Sequence, residues 1–179
     1  MSTELQMEIL GIVGTLLGTI LGWLLNGLSQ KGKLSVFIKK WNESLQKLDG
    51  YGGFDECRNY DEAEYYHYSL SVDIYNSSRD TRILRDIKLI FKDGIKDCFV
   101  SIPKDEATRK NAFPAVYYDD ISILNLPAKS AINIELHGGL NHKNDNWKYL
   151  SQTKNVLLEY VDEKNRKKRI EICKSRGIV

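Results

Sequence analysis

The first thirty residues contain no lysine, arginine or histidine, although the 179-residue chain holds 26 Lys and Arg. Their only charges are Glu4 and Glu8, so the other 22 acids and every basic residue fall in the remaining 149. The net charge of +2 thus averages two unlike parts. Cysteine is scarce: Cys57, Cys98 and Cys173 form no CxxC and leave an odd number, which excludes a disulfide framework and suits a reducing compartment. Histidine is scarce too. His137 and His142 lie five apart in a Gly/Asn-rich stretch without the Cys or Asp pattern of a metal site, and His67 alternates outward on an expected strand. No G-x-S-x-G, phosphate-binding loop, GxGxxG or HExxH occurs. The acid pairs Asp61-Glu62 and Asp119-Asp120 are adjacent residues, which strands send to opposite faces. Cys57 has acids before it and Arg58 after it, which does not mark a lowered thiol pKa. The expectation is a non-enzyme with no cofactor and no metal.

What the chain does have is an uncharged run over residues 9–28. As a helix it extends roughly 30 Å, the thickness of a bilayer's hydrocarbon core. It lacks the basic flank and small-residue cleavage site of a signal peptide, so a retained span is expected, with a buried apolar helix as the alternative. Lys31, Lys33, Lys39 and Lys40 follow the run and no basic residue precedes it. The positive-inside rule then predicts a single pass through the inner or plasma membrane, N-terminus outside and C-terminal domain in the cytoplasm.

Within the run a helical wheel sorts the small and polar residues. Glu8 and Asn26 coincide, with Thr15 and Thr19 about 20° to either side, giving a polar stripe. Gly11, Gly14, Gly18 and Gly22 fill the adjoining sector, and the opposite arc is aliphatic or aromatic; only Ile12 and Leu25 intrude. In lipid, glycines at every fourth residue let helices approach closely. Polar groups at membrane depth are costly unless they face other helices or water. Three arrangements fit: a lone anchor, a dimer or small bundle without a lumen, and a ring with Thr15, Thr19 and Asn26 lining a pore whose mouth carries Glu8. A ring of Glu8 side chains would favour cations, and the separation of glycines from polar residues favours the ring, because a dimer needs only one face.

After residue 30 helical periodicity disappears and alternation of period two begins. Segments 34–41, 66–74, 83–91, 98–102, 121–126, 131–136, 156–161 and 168–173 read as strands separated by turn chemistry, including "NSSRD" at 76–80 and "PAKS" at 127–130. Residues 42–62 and 137–149 read as loops, and 105–111 as a loop or helical turn. The pattern predicts an all-β, antiparallel sandwich of about eight strands over residues 31–179, behind a transmembrane helix over 1–30. Tyr66 and Tyr68 fall on the core face of their strand, while Tyr65 and Tyr75 point outward, where tyrosine suits a subunit interface.

The last hairpin carries Lys164, Arg166, Lys167, Lys168 and Arg169 at its tip. This cluster fits a solvated turn, an anionic lipid surface, or a nucleotide or nucleic acid. A tip beside the membrane-proximal lysines favours lipid; a distant tip favours a soluble ligand. In architecture, a single N-terminal span ahead of a small cytosolic β-domain resembles the membrane effectors of bacterial antiviral systems. That resemblance implies a sensing domain that controls a helix pore. The expected partners are the bilayer, further copies of the chain, and an anionic ligand or a protein on the domain. The alternative is a membrane-tethered binding or adaptor module with no pore.

Overall fold

The computed structural model describes residues 3–30, 32–113 and 115–174. Helix α1 (Thr3–Gln30) opens with Glu4 in its first turn, where a carboxylate meets the positive end of the helix dipole. Its apolar stretch Thr3–Gly27 has a mean hydropathy of 1.8 and none of it is buried. The buried-helix alternative fails within this chain: the domain leaves Leu10, Ile12, Leu16, Leu17, Leu21 and Trp23 more than half exposed.

The rest is an antiparallel β-sandwich. In chain order the strands are β1 (Leu34–Leu48), β2 (Phe54–Cys57), β3 (Tyr65–Asn76), β4 (Arg82–Asp93), β5 (Lys96–Ser101), β6 (Lys104–Asp105), β7 (Lys110–Ala112), β8 (Ala115–Tyr117), β9 (Ile123–Leu126), β10 (Ala131–Asn141), β11 (Asn155–Val161) and β12 (Lys167–Lys174). One sheet runs β2-β1-β3-β10-β6. The other runs β12-β11-β4-β5, with β9 also on β4, and β7–β8 form a separate hairpin. Leu70, Val72, Ile74, Ile134 and Leu136 of the first sheet meet Leu84, Leu89, Phe91, Val156 and Leu158 of the second in a buried core. Burying each such side chain contributes roughly 1.5–3 kcal/mol.

The twelve strands among the described residues exceed the eight expected, for identifiable reasons. β1 continues through the expected loop to Leu48, because a bulge between Ile38 and Lys40 restores its register on β3. Leu45 is thereby buried, and Trp41 stacks on Tyr68 at 5.4 Å. β10 continues through His137 to Asn141, because Gly138 and Gly139 lie where a Cβ would strike the Tyr68 hydroxyl and the Tyr66 carbonyl. The 105–111 stretch is a short 3-10 turn, Glu106–Thr108, whose Ala107 amide donates to the Asp105 carboxylate at 3.0 Å, flanked by β6 and β7.

Candidate functional site

Antiparallel order brings the start of β1 and three turns (77–81, 127–130, 162–166) to the end of the sandwich next to α1. The foot of the helix is fastened there. The Lys33 amide donates to Ser77 Oγ at 2.7 Å, and the Ser77 amide donates to the Lys33 carbonyl at 3.0 Å. Arg82 Nη2 donates to the Gly32 carbonyl at 3.0 Å. Gly32 sits directly on the Ser78 backbone, with no room for a Cβ. Across residue 31, Arg79 Nη1 donates to Asn26 Oδ1 at 3.3 Å. Lys31 itself lies outside the described residues.

Beneath these contacts is Asn76, fully buried. Its Nδ2 donates to the carbonyls of Asp80, Leu126 and Pro127 at 2.8, 3.1 and 2.9 Å, and its Oδ1 accepts from the Ser78 amide at 3.0 Å. One side chain thus ties two turns together.

The hairpin tip is built around Asp162. Its carboxylate accepts from the amides of Lys164 and Arg166 at 3.0 and 2.9 Å and from Arg166 Nε at 2.9 Å. Asn165 adopts φ +59, the left-handed residue that closes a three-residue hairpin loop. Arg85 Nη2 holds the Asn165 amide oxygen at 3.0 Å. Burial pushes the Asp162 carboxyl pKa up, but the bonds from the Arg166 side chain and the two amides outweigh it and hold it below its ordinary value.

Between tip and helix foot, at the mouth between the sheets, lies a cleft of about 390 Å³. Lys33 and Leu34 line one wall; Tyr160, Arg82, Lys164, Arg166 and Lys168 line the other. Its two acids are already matched, Asp162 with Arg166 and Glu163 with Arg82. Lys33, Lys164 and Lys168 form no ion pair among the described residues, so three ammonium groups remain uncommitted.

The five basic residues of the hairpin therefore separate. Lys164, Arg166 and Lys168 line the cleft. Arg169, with Lys167 sharing its strand parity, belongs to the opposite face of β12. There Arg169 bonds the buried Glu159 at 2.7 Å and Asp97 at 3.4 Å, and Lys88 meets Glu159 at 3.1 Å. Burial raises the Glu159 pKa, but Arg169 and then Lys88 outweigh it and the net shift is downward. Lys33, Arg82 and Tyr160 joined the cleft without any local motif to announce them; strand parity would have removed Arg169 beforehand.

On α1, a Cβ added at Gly11, Gly14, Gly18 or Gly22 would meet nothing within 4 Å, so nothing in this chain needs those glycines. Gly11 lies with Glu8, Ile12, Thr15 and Leu16 along a shallow groove. Thr15 Oγ1 donates to the Gly11 carbonyl and Thr19 Oγ1 to the Thr15 carbonyl, each at 2.9 Å. Both hydroxyls are satisfied inside their own helix. Asn26, placed by the wheel on the same stripe, engages Arg79 of the domain.

Tyr75 is exposed on the outer face of β3, while Tyr65 packs edge-on against Phe54 at 4.9 Å. Among the described residues no group of three His, Cys, Asp or Glu could hold a metal ion.

A family model described as the YopI Ig-like domain matches residues 32–173. The SPbeta prophage-derived uncharacterized protein YopI of Bacillus subtilis (strain 168) is 31% identical over 155 residues, spanning 85% of this chain and 86% of that protein. Among solved structures, a Bordetella pertussis protein named ApaA is 11% identical, with 79% of this chain and 89% of that one covered at a TM-score of 0.34. Structural-genomics target SoR45 is 13% identical, with 85% and 92% covered at a TM-score of 0.33.

Proposed function

The chain belongs to the YopI Ig-like domain family, and on that premise we propose that it is a membrane-anchored, non-catalytic binding module whose copies associate through their helices. α1 crosses the inner or plasma membrane with its N-terminus outside, and the Ig-like domain stands in the cytoplasm. The lysines that follow the span, and the lack of any basic residue before it, support this orientation. The observation that carries the reading is the contrast along α1: its apolar span is wholly uncovered, while its foot is pinned to the domain on both sides of residue 31. A helix with that much bare apolar surface needs lipid around it, and its open glycine ridge gives a second copy the close approach that packing in lipid requires.

Association is favoured over conduction. The Thr15 and Thr19 hydroxyls already bond to their own backbone, and Asn26 already has Arg79, so the polar stripe does not demand a water-filled lumen. The test is energy transfer between labelled copies of the full chain in liposomes, wild type against Gly18→Leu. Transfer in the wild type that falls several-fold in the variant is expected; a wild type that stays monomeric overturns the association. Ion flux that depends on Gly18 would instead make the bundle a pore, as in the membrane effectors of bacterial antiviral systems.

A further inference from the structure

The cleft at the helix foot is a pocket with a surplus of cations, and its position limits what can reach it. Gly32 follows the end of the apolar span at Gly27 by five residues. Chain reach alone keeps it within about 18 Å of the hydrocarbon edge. The headgroup layer is roughly 5–8 Å thick, and a lysine arm covers much of the remainder. Two further cations, Arg79 and Lys129, lie on the neighbouring turns, with Lys129 Nζ donating to the Ser77 carbonyl.

We propose that this cleft is a binding site for the phosphate of an anionic phospholipid headgroup, clamping the domain against the membrane it is anchored in. The inference rests on the membrane-anchored reading above and names the ligand that such a module takes at its own foot. Three features favour a bound headgroup over diffuse attraction. Lys33 from just ahead of β1 and Lys164 and Lys168 from the last hairpin converge on one concavity. The two acids in it are occupied by Arg166 and Arg82, so neither neutralises those ammonium groups. The tip that presents Lys164 is held rigid by the Asp162 bonds before any ligand arrives, so little ordering remains to be done on binding. Phosphate is the anion whose several oxygens can accept from three ammonium groups at once. A soluble phosphate or a nucleic acid shares that chemistry, but neither is delivered to the site by the helix.

The test uses the full chain in neutral detergent micelles titrated with fluorescent phosphatidylglycerol or phosphatidylcholine. Wild type is expected to hold phosphatidylglycerol at least tenfold more tightly, with the preference shrinking as salt rises. The double variant Lys164→Gln/Lys168→Gln should bind about 25-fold more weakly, from roughly fivefold per membrane-facing lysine. The far-end control Lys143→Gln/Lys148→Gln should match wild type. Both pairs are exposed, so unchanged thermal unfolding excludes a folding defect. Glu163→Gln, which releases Arg82, should tighten binding, an effect no misfolded protein gives. Equal affinity for the two lipids, equal loss in the far-end control, or tighter binding of inorganic phosphate or a single-stranded oligonucleotide than of phosphatidylglycerol would overturn the proposal. Gly18→Leu run in parallel separates the two readings: if it abolishes association but not the lipid preference, the cleft stands independently of self-association.

Discussion

At the end of the sandwich next to α1, residues 32–33, 77–82, 127–130 and 162–168 hold eight Lys or Arg against three Asp or Glu. At the far end, residues 49–64, 93–96 and 142–154 hold five against eight. The ends also differ in how they are held. The helix end is locked by buried groups, Asn76 and Asp162, each making several bonds. The far end is held by half-buried turn chemistry such as Asp49, which accepts from the Tyr51 and Gly53 amides at 2.7 and 2.8 Å. A polar group buried among fixed partners holds a turn in one shape, whereas a half-buried one shares its bonds with water. The difference is the one that the proposed headgroup site requires, a fixed cationic end beside the helix.

Asn76→Ala breaks that comparison most severely. It strands the buried Leu126 carbonyl, the partly buried Asp80 and Pro127 carbonyls and the buried Ser78 amide, for a loss of about 3 kcal/mol, read by urea denaturation of the full chain in detergent. Asp49→Ala at the far end should cost clearly less. Equal losses would mean that the two ends are held alike.

Glycine sharpens the same contrast at the junction. Gly32→Ala forces a Cβ into the Ser78 backbone and should destabilise by about 1–3 kcal/mol, read by thermal unfolding. Gly14→Ala meets nothing within its own chain and should leave unfolding of the domain unchanged. Its effect should appear only as weaker energy transfer between copies. A domain destabilised by Gly14→Ala would show that α1 packs on the sandwich.

How much of this was legible depended on whether a strand kept its parity. β3 keeps it for twelve residues, so Tyr66, Tyr68, Leu70, Val72 and Ile74 were identified as core residues by alternation alone. β4 does not. Asp86 sits at φ +53, between the half that pairs with β9 and the half that pairs with β5. Counting back in phase from Ile87 points to Ile83, yet Leu84 is buried and Ile83 is 39% exposed. The glycines of β10 misled for a different reason: Gly138 and Gly139 mark close approach by two tyrosines, which a sequence shows no differently from a loop. In the cleft, the hairpin lysines were visible as a run, but Lys33 and Arg82 come from distant segments joined only by topology. On α1 the wheel places Thr15 and Thr19 on a polar stripe, but that their hydroxyls bond within their own helix is a matter of rotamer, which a wheel does not carry.

The smallest expected effect is the response to acid, and its sign follows from the carboxylates. Asp162 and Glu159 both have folded pKa values held below their ordinary 3.8 and 4.5; burial opposes the shift, and the Arg166 and Arg169 bonds prevail. A depressed carboxyl pKa contributes stability that is fully present above the unfolded value and is lost as pH falls through the folded one. Stability from these groups should therefore be level from pH 7 to about 5 and decline below about 4. Asp49 is depressed as well, by the Tyr51 and Gly53 amides, but it is less buried than Asp162 and contributes less. Amide hydrogen exchange at pH 3.5 against pH 6, corrected for intrinsic rates, should show the 162–166 hairpin opening before the 49–53 turn. Asp162→Asn should flatten that pH dependence at the helix end alone. Were the 49–53 turn to open first, the buried carboxylate would not be what fixes the cationic end, and the contrast between the ends would reduce to surface charge.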